Sequence, residues 1–117
     1  MRVSDRKLNP SLKGQIIKIF AQTLADLKSP KEARSFLKDF LTDAEIETFA
    51  KRLAVAYWLK KGRSYANIKQ NLKVSSATIA DVSSILENQG IKTALEKIEA
   101  EEWANQWAKK IKKFVSI

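Results

Sequence analysis

The sequence predicts an all-α fold of about six helices. Apolar residues recur every three or four positions along the 117-residue chain, and the alternating polarity typical of strands is almost absent. Both prolines lie where helices are expected to begin, and only three glycines are present, which leaves little room for tight turns. Because this length suits one modest core, we expect residues 1–117 to form a single helical domain.

Capping residues mark the starts of the first three helices. Asn9-Pro10 predicts an N-cap followed by proline in the first turn, and the first helix is expected to run to about Lys28. Ser29 can cap the second helix, with Glu32 reaching back to complete a capping box, and 42–45 predicts another capping box. The apolar faces expected on these helices are Leu12, Ile16, Phe20, Leu24 and Leu27 on the first, Ala33, Phe36, Leu37 and Phe40 on the second, and Ile46, Phe49, Ala50, Leu53, Ala54, Tyr57 and Trp58 on the third.

Two short helices are predicted after Gly62, which suits the left-handed position that ends the third helix. The first runs from about Ser64 to Leu72, and the second from near Ser75 to a point before Gly90, with a turn at 73–75 between them. Residues expected to pack inward are Ala66, Ile68, Leu72, Ala77, Ile79, Val82, Ile85 and Leu86. Two short amphipathic helices joined by a tight turn form a helix-turn-helix, here over residues 64–87, whose second helix enters the DNA major groove.

The last predicted helix, residues 91–117, is amphipathic and ends in a basic segment. It carries Trp103 and Trp107 one turn apart, with Leu95, Ile98, Ile111 and Phe114 on apolar positions. One interpretation is a packing helix of the core or of a dimer, and a second is a basic arm that clamps the DNA backbone. A third is an amphipathic anchor at an anionic membrane, although Glu101 and Glu102 oppose deep docking there.

Composition excludes several classes of function. The chain has no cysteine and no histidine, which removes disulfides, thiolate or imidazole metal sites and an imidazole base. A pair of carboxylates would need an apolar pocket for acid–base chemistry, and nothing in the sequence marks one, so we expect no enzyme, catalytic residue, metal or cofactor. No apolar run is long enough to span a bilayer, and the N-terminus lacks a signal segment, so we expect a cytoplasmic protein without stable membrane insertion.

The charge balance indicates a polyanionic partner. There are 22 basic and 13 acidic residues, a net charge of +9. The excess is uneven, because residues 75–105 contain two basic and six acidic groups. Basic residues instead surround the two short helices, which is what neutralisation of DNA phosphates requires. These residues are Lys60, Lys61, Arg63, Lys69 and Lys73.

The candidate DNA-binding residues are Arg63, Lys69, Lys73, Ser75, Ser76, Ala77 and Thr78. The small hydroxyl residues lie at the tip of the second short helix, where they can cap the helix and bond base edges or phosphates. The alternative is that the cations are ordinary solvated residues at helix ends. Residues 76–87 contain no lysine or arginine, so bidentate recognition of guanine from this helix is excluded.

In this arrangement the chain resembles the trp repressor family, and more closely its smaller trp-repressor-like regulators. The resemblance covers about residues 15–90. Its landmarks are LTDAE at 41–45, Arg52 followed by an apolar stretch to Leu59, Gly62, IKQNL at 68–72 and ATI at 77–79. The resemblance implies an intertwined all-helical homodimer that presents two helix-turn-helix units to a palindromic operator. The broad apolar faces of the helices favour a dimer independently, the alternative being a closed monomeric core.

The resemblance also bears on the effector. In tryptophan-responsive members, one arginine from the long helix and another from the recognition helix flank the amino acid. Arg52 matches the first and is the candidate effector-binding residue, although it could equally form a surface salt bridge with Glu45 or Glu47. Asp81 stands at the second position, where it would repel the ligand carboxylate. We therefore expect an effector other than tryptophan, or none.

The sequence thus predicts a sequence-specific DNA-binding transcriptional regulator that acts as a homodimer, and we expect a repressor. Its partners would be double-stranded DNA and a second copy of the chain. The leading alternative is a helical protein–protein adaptor in which the helix-turn-helix serves only for packing. RNA binding is a weaker alternative, because few aromatic rings could stack on single-stranded bases and most of them lie on apolar stripes. Tyr65 is a candidate for an exposed ring.

Overall fold

A computed structural model describes the backbone of residues 6–115, with side chains through residue 105 and that of Lys109. Six helices follow one another, and the described residues contain no strand, which confirms the all-α prediction. They are α1 (Pro10–Asp26), α2 (Pro30–Phe40), α3 (Asp43–Lys60), α4 (Tyr65–Leu72), α5 (Ser76–Ser83) and α6 (Gln89–Val115). The chain divides into two compact units, Met1–Ile46 and Glu47–Ile117.

The predicted caps form at the starts of α1, α2 and α3. Asn9 Oδ1 accepts from the backbone N–H of Ser11 at 2.9 Å, and Ser29 Oγ accepts from that of Glu32 at 3.1 Å. At α3 the box is reciprocal: Thr42 Oγ1 accepts from Glu45 N at 3.1 Å, and Glu45 Oε1 accepts from Thr42 N at 2.9 Å. These bonds satisfy backbone donors that have no partner within the helix.

The second capping box differs by one residue from the prediction. The Glu32 carboxylate accepts from the backbone N–H of Lys28, at 3.4 Å, and not from the N–H of Ser29 itself. The α2 N-cap is extended, with φ −150° and ψ 158°, and this backbone carries the chain into the helix with the Lys28 amide facing the carboxylate. The start of the helix is the one that the sequence predicts.

The first unit has an exposed apolar surface. No residue of α1 or α2 is buried, although the predicted stripe on α1 is present. The rings of Phe20 and Phe40 lie 5.9 Å apart, and those of Phe36 and Phe40 lie 5.0 Å apart and stacked. The exposed apolar residues of α1 are Leu12, Ile16, Ile17, Ile19, Phe20 and Leu24. A single chain therefore leaves this face open to solvent.

The core of the second unit is contributed by all four of its helices. Its buried residues are Val55, Ala56, Ile68, Ile79, Val82 and Leu95, with partly buried apolar side chains packed around them. The inward positions predicted on α4 and α5 are therefore correct for Ile68, Ile79 and Val82. They are wrong for Ala66 and Ala77, which are exposed. A helix of eight residues has room for one narrow buried face, and the larger aliphatic side chains occupy it.

The buried face of α3 differs from the one predicted. Phe49 and Leu53 are 55% and 44% exposed, whereas Val55 and Ala56 are buried. Apolar residues lie on several sides of this helix, so periodicity cannot tell which side faces the core of its own chain.

The ends of α3 and α5 can each be compared with the end that the sequence predicts. Gly62 has φ 83°, as predicted, and the N–H of Arg63 bonds the Trp58 carbonyl at 3.1 Å across it, so α3 ends in a left-handed cap. Helix α5 ends at Ser83, which is before Gly90 as predicted but earlier than Ile85 and Leu86, which were expected to pack inward from it; Gly90 itself lies inside α6. Ser84 Oγ donates to the Asp81 carbonyl at 2.6 Å, which satisfies an acceptor at the end of α5 and favours an early stop.

The last helix, α6, begins two residues before the predicted start of 91–117. The side chains of Trp107, Ile111 and Phe114 lie outside the described residues, so the three interpretations of this segment stay predictions, as does the single domain 1–117. Among the described residues, none of the helices has the length and apolar character needed to cross a lipid bilayer.

Candidate nucleic-acid interface

The candidate site is built on α4, the turn at 73–75 and α5. Ser64 Oγ accepts from Asn67 N at 3.1 Å and caps α4, and Ser75 Oγ accepts from Thr78 N at 3.1 Å and caps α5. Between them Lys73 has φ 56° and ψ 48°, a left-handed conformation that is costly for a residue with a Cβ. Because α4 packs against α5 and both contribute to the core, the turn is fixed at both ends.

The tip of α5 presents small polar residues to solvent. Ser75, Ser76 and Ala77 are exposed, and Thr78 is half-buried. Ser75 Oγ and Thr78 Oγ1 lie 3.0 Å apart, so the two hydroxyls also bond each other. The predicted tip residues therefore form one continuous surface at the amino end of α5.

Lys69 is the predicted cation that reaches this tip. Its Nζ lies 3.4 Å from Ser76 Oγ, although the two residues belong to different helices. Lys73 is exposed in the turn that joins those helices. The structure thus brings Lys69 and Ser76 into contact and places Lys73 one residue before the extended segment that leads into α5.

Arg63 is held by an aromatic ring that sequence reasoning assigned to the apolar face alone. The guanidinium carbon lies 3.9 Å from the centroid of the Trp58 ring, and Nη1 donates to Asn67 Oδ1 at 3.4 Å. A guanidinium stacked on a ring keeps its N–H groups pointing outward in its own plane, where a phosphate could accept from them. The signal in the sequence was the arginine directly after the glycine that ends a tryptophan-bearing helix.

The two other cations near the motif are Lys60 and Lys61. Both are partly exposed to solvent and form ion pairs with carboxylates. Lys60 Nζ lies 3.4 Å from Glu99 Oε2, and Lys61 Nζ lies 3.7 Å from Glu99 Oε1 and 3.8 Å from Glu102 Oε2. The Tyr57 hydroxyl donates to Glu102 as well. Sequence reasoning missed this cluster, because the partners are about 40 residues apart and meet only where α3 and α6 pack together.

Comparison with known proteins agrees with this geometry. The family model described as Trp repressor protein matches residues 15–99, which include α4, the turn and α5. The chain belongs to the Trp repressor family.

A relative in Bacillus subtilis strain 168, the uncharacterized protein YerC, is 31% identical over 93 residues, which cover 78% of this chain and 89% of the relative. No solved structure matches the chain significantly. Membership of the Trp repressor family indicates a helical DNA-binding regulator, because members of this family are regulators rather than enzymes.

The family match ends at residue 99, and α6 continues to Val115. Of the acidic residues that hold the two lysines, Glu99 is the last matched residue and Glu102 lies beyond the match. The cluster therefore depends in part on a segment that the Trp repressor family does not cover.

The two positions at which an effector was predicted to act are both exposed in this member of the Trp repressor family. Arg52 lies in the middle of α3 and Asp81 lies on α5, and their side chains are open to solvent. The salt bridge with Glu47 that sequence reasoning considered for Arg52 is formed by Lys51, at 3.7 Å. Arg52 stays a prediction for effector binding.

Proposed function

We propose that this protein is a sequence-specific DNA-binding regulator that acts as a homodimeric repressor in the cytoplasm. The observation that carries the proposal is the contact of Lys69 with Ser76 at the exposed, capped start of α5. A cation and hydroxyl groups at the positive end of a helix dipole are suited to an anionic ligand such as a nucleic-acid backbone.

Phosphate contacts are assigned to Arg63, Lys69 and Lys73. Arg63 is oriented by Trp58, Lys69 by Ser76, and Lys73 by the backbone of the turn. A lysine in a left-handed position that glycine would occupy more easily is a local cost, and such costs are commonly retained where the side chain has a use. Three phosphate contacts per chain would make the affinity strongly dependent on salt.

Base contacts are assigned to Ser75, Ser76, Ala77 and Thr78. The exposure of Ala77 supports this role, because its methyl group is open to contact with a thymine methyl in the major groove. The hydroxyls can donate to or accept from base edges, directly or through water. Specificity from such groups is modest compared with that of arginine on guanine.

A second copy of the chain is the partner that fits the exposed apolar faces. Helix α1 and helix α3 each expose large apolar side chains, which a soluble monomer rarely leaves open to solvent. Covering them with the same faces of a second copy would give one shared core and two recognition helices. A random duplex library selected on the protein should then yield a palindrome with half-sites about 10 base pairs apart.

A mobility-shift assay tests the proposal. The parent should bind duplex DNA with an affinity that falls steeply as salt rises, and Lys69→Glu plus Lys73→Glu should weaken binding by at least tenfold. Lys31→Glu plus Lys38→Glu, the same change of charge on α2, is the matched control and should bind nearly as the parent does.

Equal binding by the parent and the Lys69→Glu plus Lys73→Glu variant would show that α4 and α5 do not contact DNA. A parent that binds no duplex, and passes a low-salt heparin column unretained, would instead favour the protein-binding adaptor. Sedimentation of the free protein tests the dimer, since a monomer at micromolar concentration would contradict it.

A further inference from the structure

The cluster of Lys60, Lys61, Glu99 and Glu102 removes two cations from the basic surface beside the helix-turn-helix. Three ion pairs between 3.4 and 3.8 Å join Lys60, the last residue of α3, and Lys61, the residue after it, to α6. The Tyr57 hydroxyl donates to Glu102 and fixes that carboxylate beside Lys61, whose Nζ also lies 5.3 Å from the Tyr57 ring centroid. Each lysine is thus oriented toward α6.

The position of the cluster gives it consequences for DNA binding. Lys60 and Lys61 lie three and two residues, respectively, before Arg63, which is assigned to a phosphate. Without α6 the basic surface would extend from Lys73 back to the end of α3. With α6 present, the carboxylates neutralise this end of the surface and would repel a phosphate brought close to it.

The cluster is accessible enough to open. The side chains of Lys60 and Glu99 are each 36% exposed, and those of Lys61 and Glu102 are 45% and 47% exposed. Exposed ion pairs are weak and screened by salt, so a phosphate can compete with the carboxylates for these lysines. The same weakness means that neutralising the carboxylates should leave the fold intact.

We propose that Glu99 and Glu102 act as an electrostatic brake on DNA binding: they hold Lys60 and Lys61 away from the backbone and limit both affinity and footprint. The proposal rests on the proposed function, because it presumes that the helix-turn-helix binds duplex DNA. Of the two carboxylates, Glu99 is the last residue matched to the family and Glu102 lies beyond the match.

Neutralisation of the two carboxylates is the test. Glu99→Gln plus Glu102→Gln should raise duplex affinity about three- to tenfold at low salt. The slope of log affinity against log salt should steepen by about 1.8 for each chain, or about 3.6 for the homodimer, as two lysines per chain gain phosphates. Glu96→Gln plus Glu101→Gln removes the same charge from the same helix and leaves the cluster intact, so it should change affinity less than about twofold.

Substitution of Lys60 and Lys61 tests whether these two lysines cause the gain in affinity. Lys60→Gln plus Lys61→Gln should abolish the gain when added to Glu99→Gln plus Glu102→Gln. In the parent the same lysine substitutions should lower affinity by less, and only because they leave the two carboxylates unpaired. Far-UV circular dichroism and thermal unfolding of each variant check that the fold is retained.

Failure of the brake and failure of the proposed DNA binding give different results in these assays. An equal gain from the Glu96→Gln plus Glu101→Gln control would show a general effect of charge and overturn the brake. A loss of affinity on Lys60→Gln plus Lys61→Gln in the parent, as large as in the neutralised variant, would show that these lysines already contact DNA. If neither the parent nor any variant binds duplex DNA, the proposed function itself fails.

Discussion

Lys69 Nζ lies 3.4 Å from Ser76 Oγ and connects α4 to the first residue of α5. The two residues are separated by the turn that contains Lys73, so the contact forms only when both short helices have their native orientation. It places a positive charge beside the amino end of α5, where the helix dipole is also positive. The contact between Lys69 and Ser76 therefore joins α4 to α5 and lies at the centre of the proposed DNA-binding surface.

Replacement of Arg63 by lysine tests whether the planar guanidinium matters beyond its charge. Lysine keeps the charge and loses both the stacking on Trp58 and the fork of donors, so we expect duplex affinity to fall about three- to tenfold with little change in stability. Fluorescence of the tryptophans should change on the substitution, because the cation leaves the Trp58 ring. Unchanged affinity would mean that charge alone is used at this position.

Lys73→Gly should make the protein more stable and weaken its binding to DNA. Glycine adopts φ 56° without the Cβ penalty, so we expect the free energy of unfolding to rise by about 0.5–1 kcal/mol in chemical denaturation. Loss of the phosphate contact should lower duplex affinity severalfold. Lys73→Ala is the matched control: it should lose the same affinity without gaining stability. If Lys73→Gly binds as tightly as the parent, the side chain has no role in binding.

Ser75 allows capping and DNA contact to be separated. Ser75→Ala removes the acceptor for Thr78 N and should cost about 1 kcal/mol of stability. Ser75→Asp keeps an acceptor at the N-cap, so stability should be retained, but a carboxylate at the tip should repel DNA and weaken binding by at least tenfold. Ser29→Asp, at the N-cap of α2, is the control. Similar affinities for the two aspartate variants would place the tip of α5 away from DNA.

The capping box of α3 predicts a dependence of stability on pH. Donation from the Thr42 backbone N–H, with a second contribution from the Thr42 side chain, lowers the pKa of the Glu45 carboxyl below its ordinary value of 4.5. The folded pKa is below the unfolded one, so this stabilisation is present above about pH 4.5 and is lost as pH falls through the folded pKa. Unfolding of the parent and of Glu45→Gln should therefore differ at neutral pH and converge in acid. Titration of the Glu45 carboxyl by NMR should give a midpoint below 4.5. A midpoint at or above that value would contradict the box.

Tryptophan should fail as an effector. The resemblance to tryptophan-responsive members implies that Asp81 stands at the position of their second arginine, so we expect its carboxylate to repel that of the amino acid. Calorimetric titration should show no micromolar binding, and tryptophan should leave duplex affinity unchanged because the two effects are linked. Asp81→Arg is the informative variant, since a response to tryptophan there would show that this side chain prevents it in the parent. Micromolar binding by the parent would show that Asp81 does not exclude the ligand.

The sequence by itself determined the helices, their caps and the residues of the helix-turn-helix, because these depend on neighbours along the chain. Asn9, Ser29, Thr42, Gly62 and Ser75 lie where local hydrogen bonding or a positive φ requires them, and the structure agrees at each. The packing of the helices decides which apolar faces are buried and that the Arg63 guanidinium lies over the Trp58 ring. It also decides that Glu99 and Glu102 form ion pairs with Lys60 and Lys61. Those outcomes depend on how helices distant in the chain pack, and the periodicity of one helix contains no information about the helix it meets.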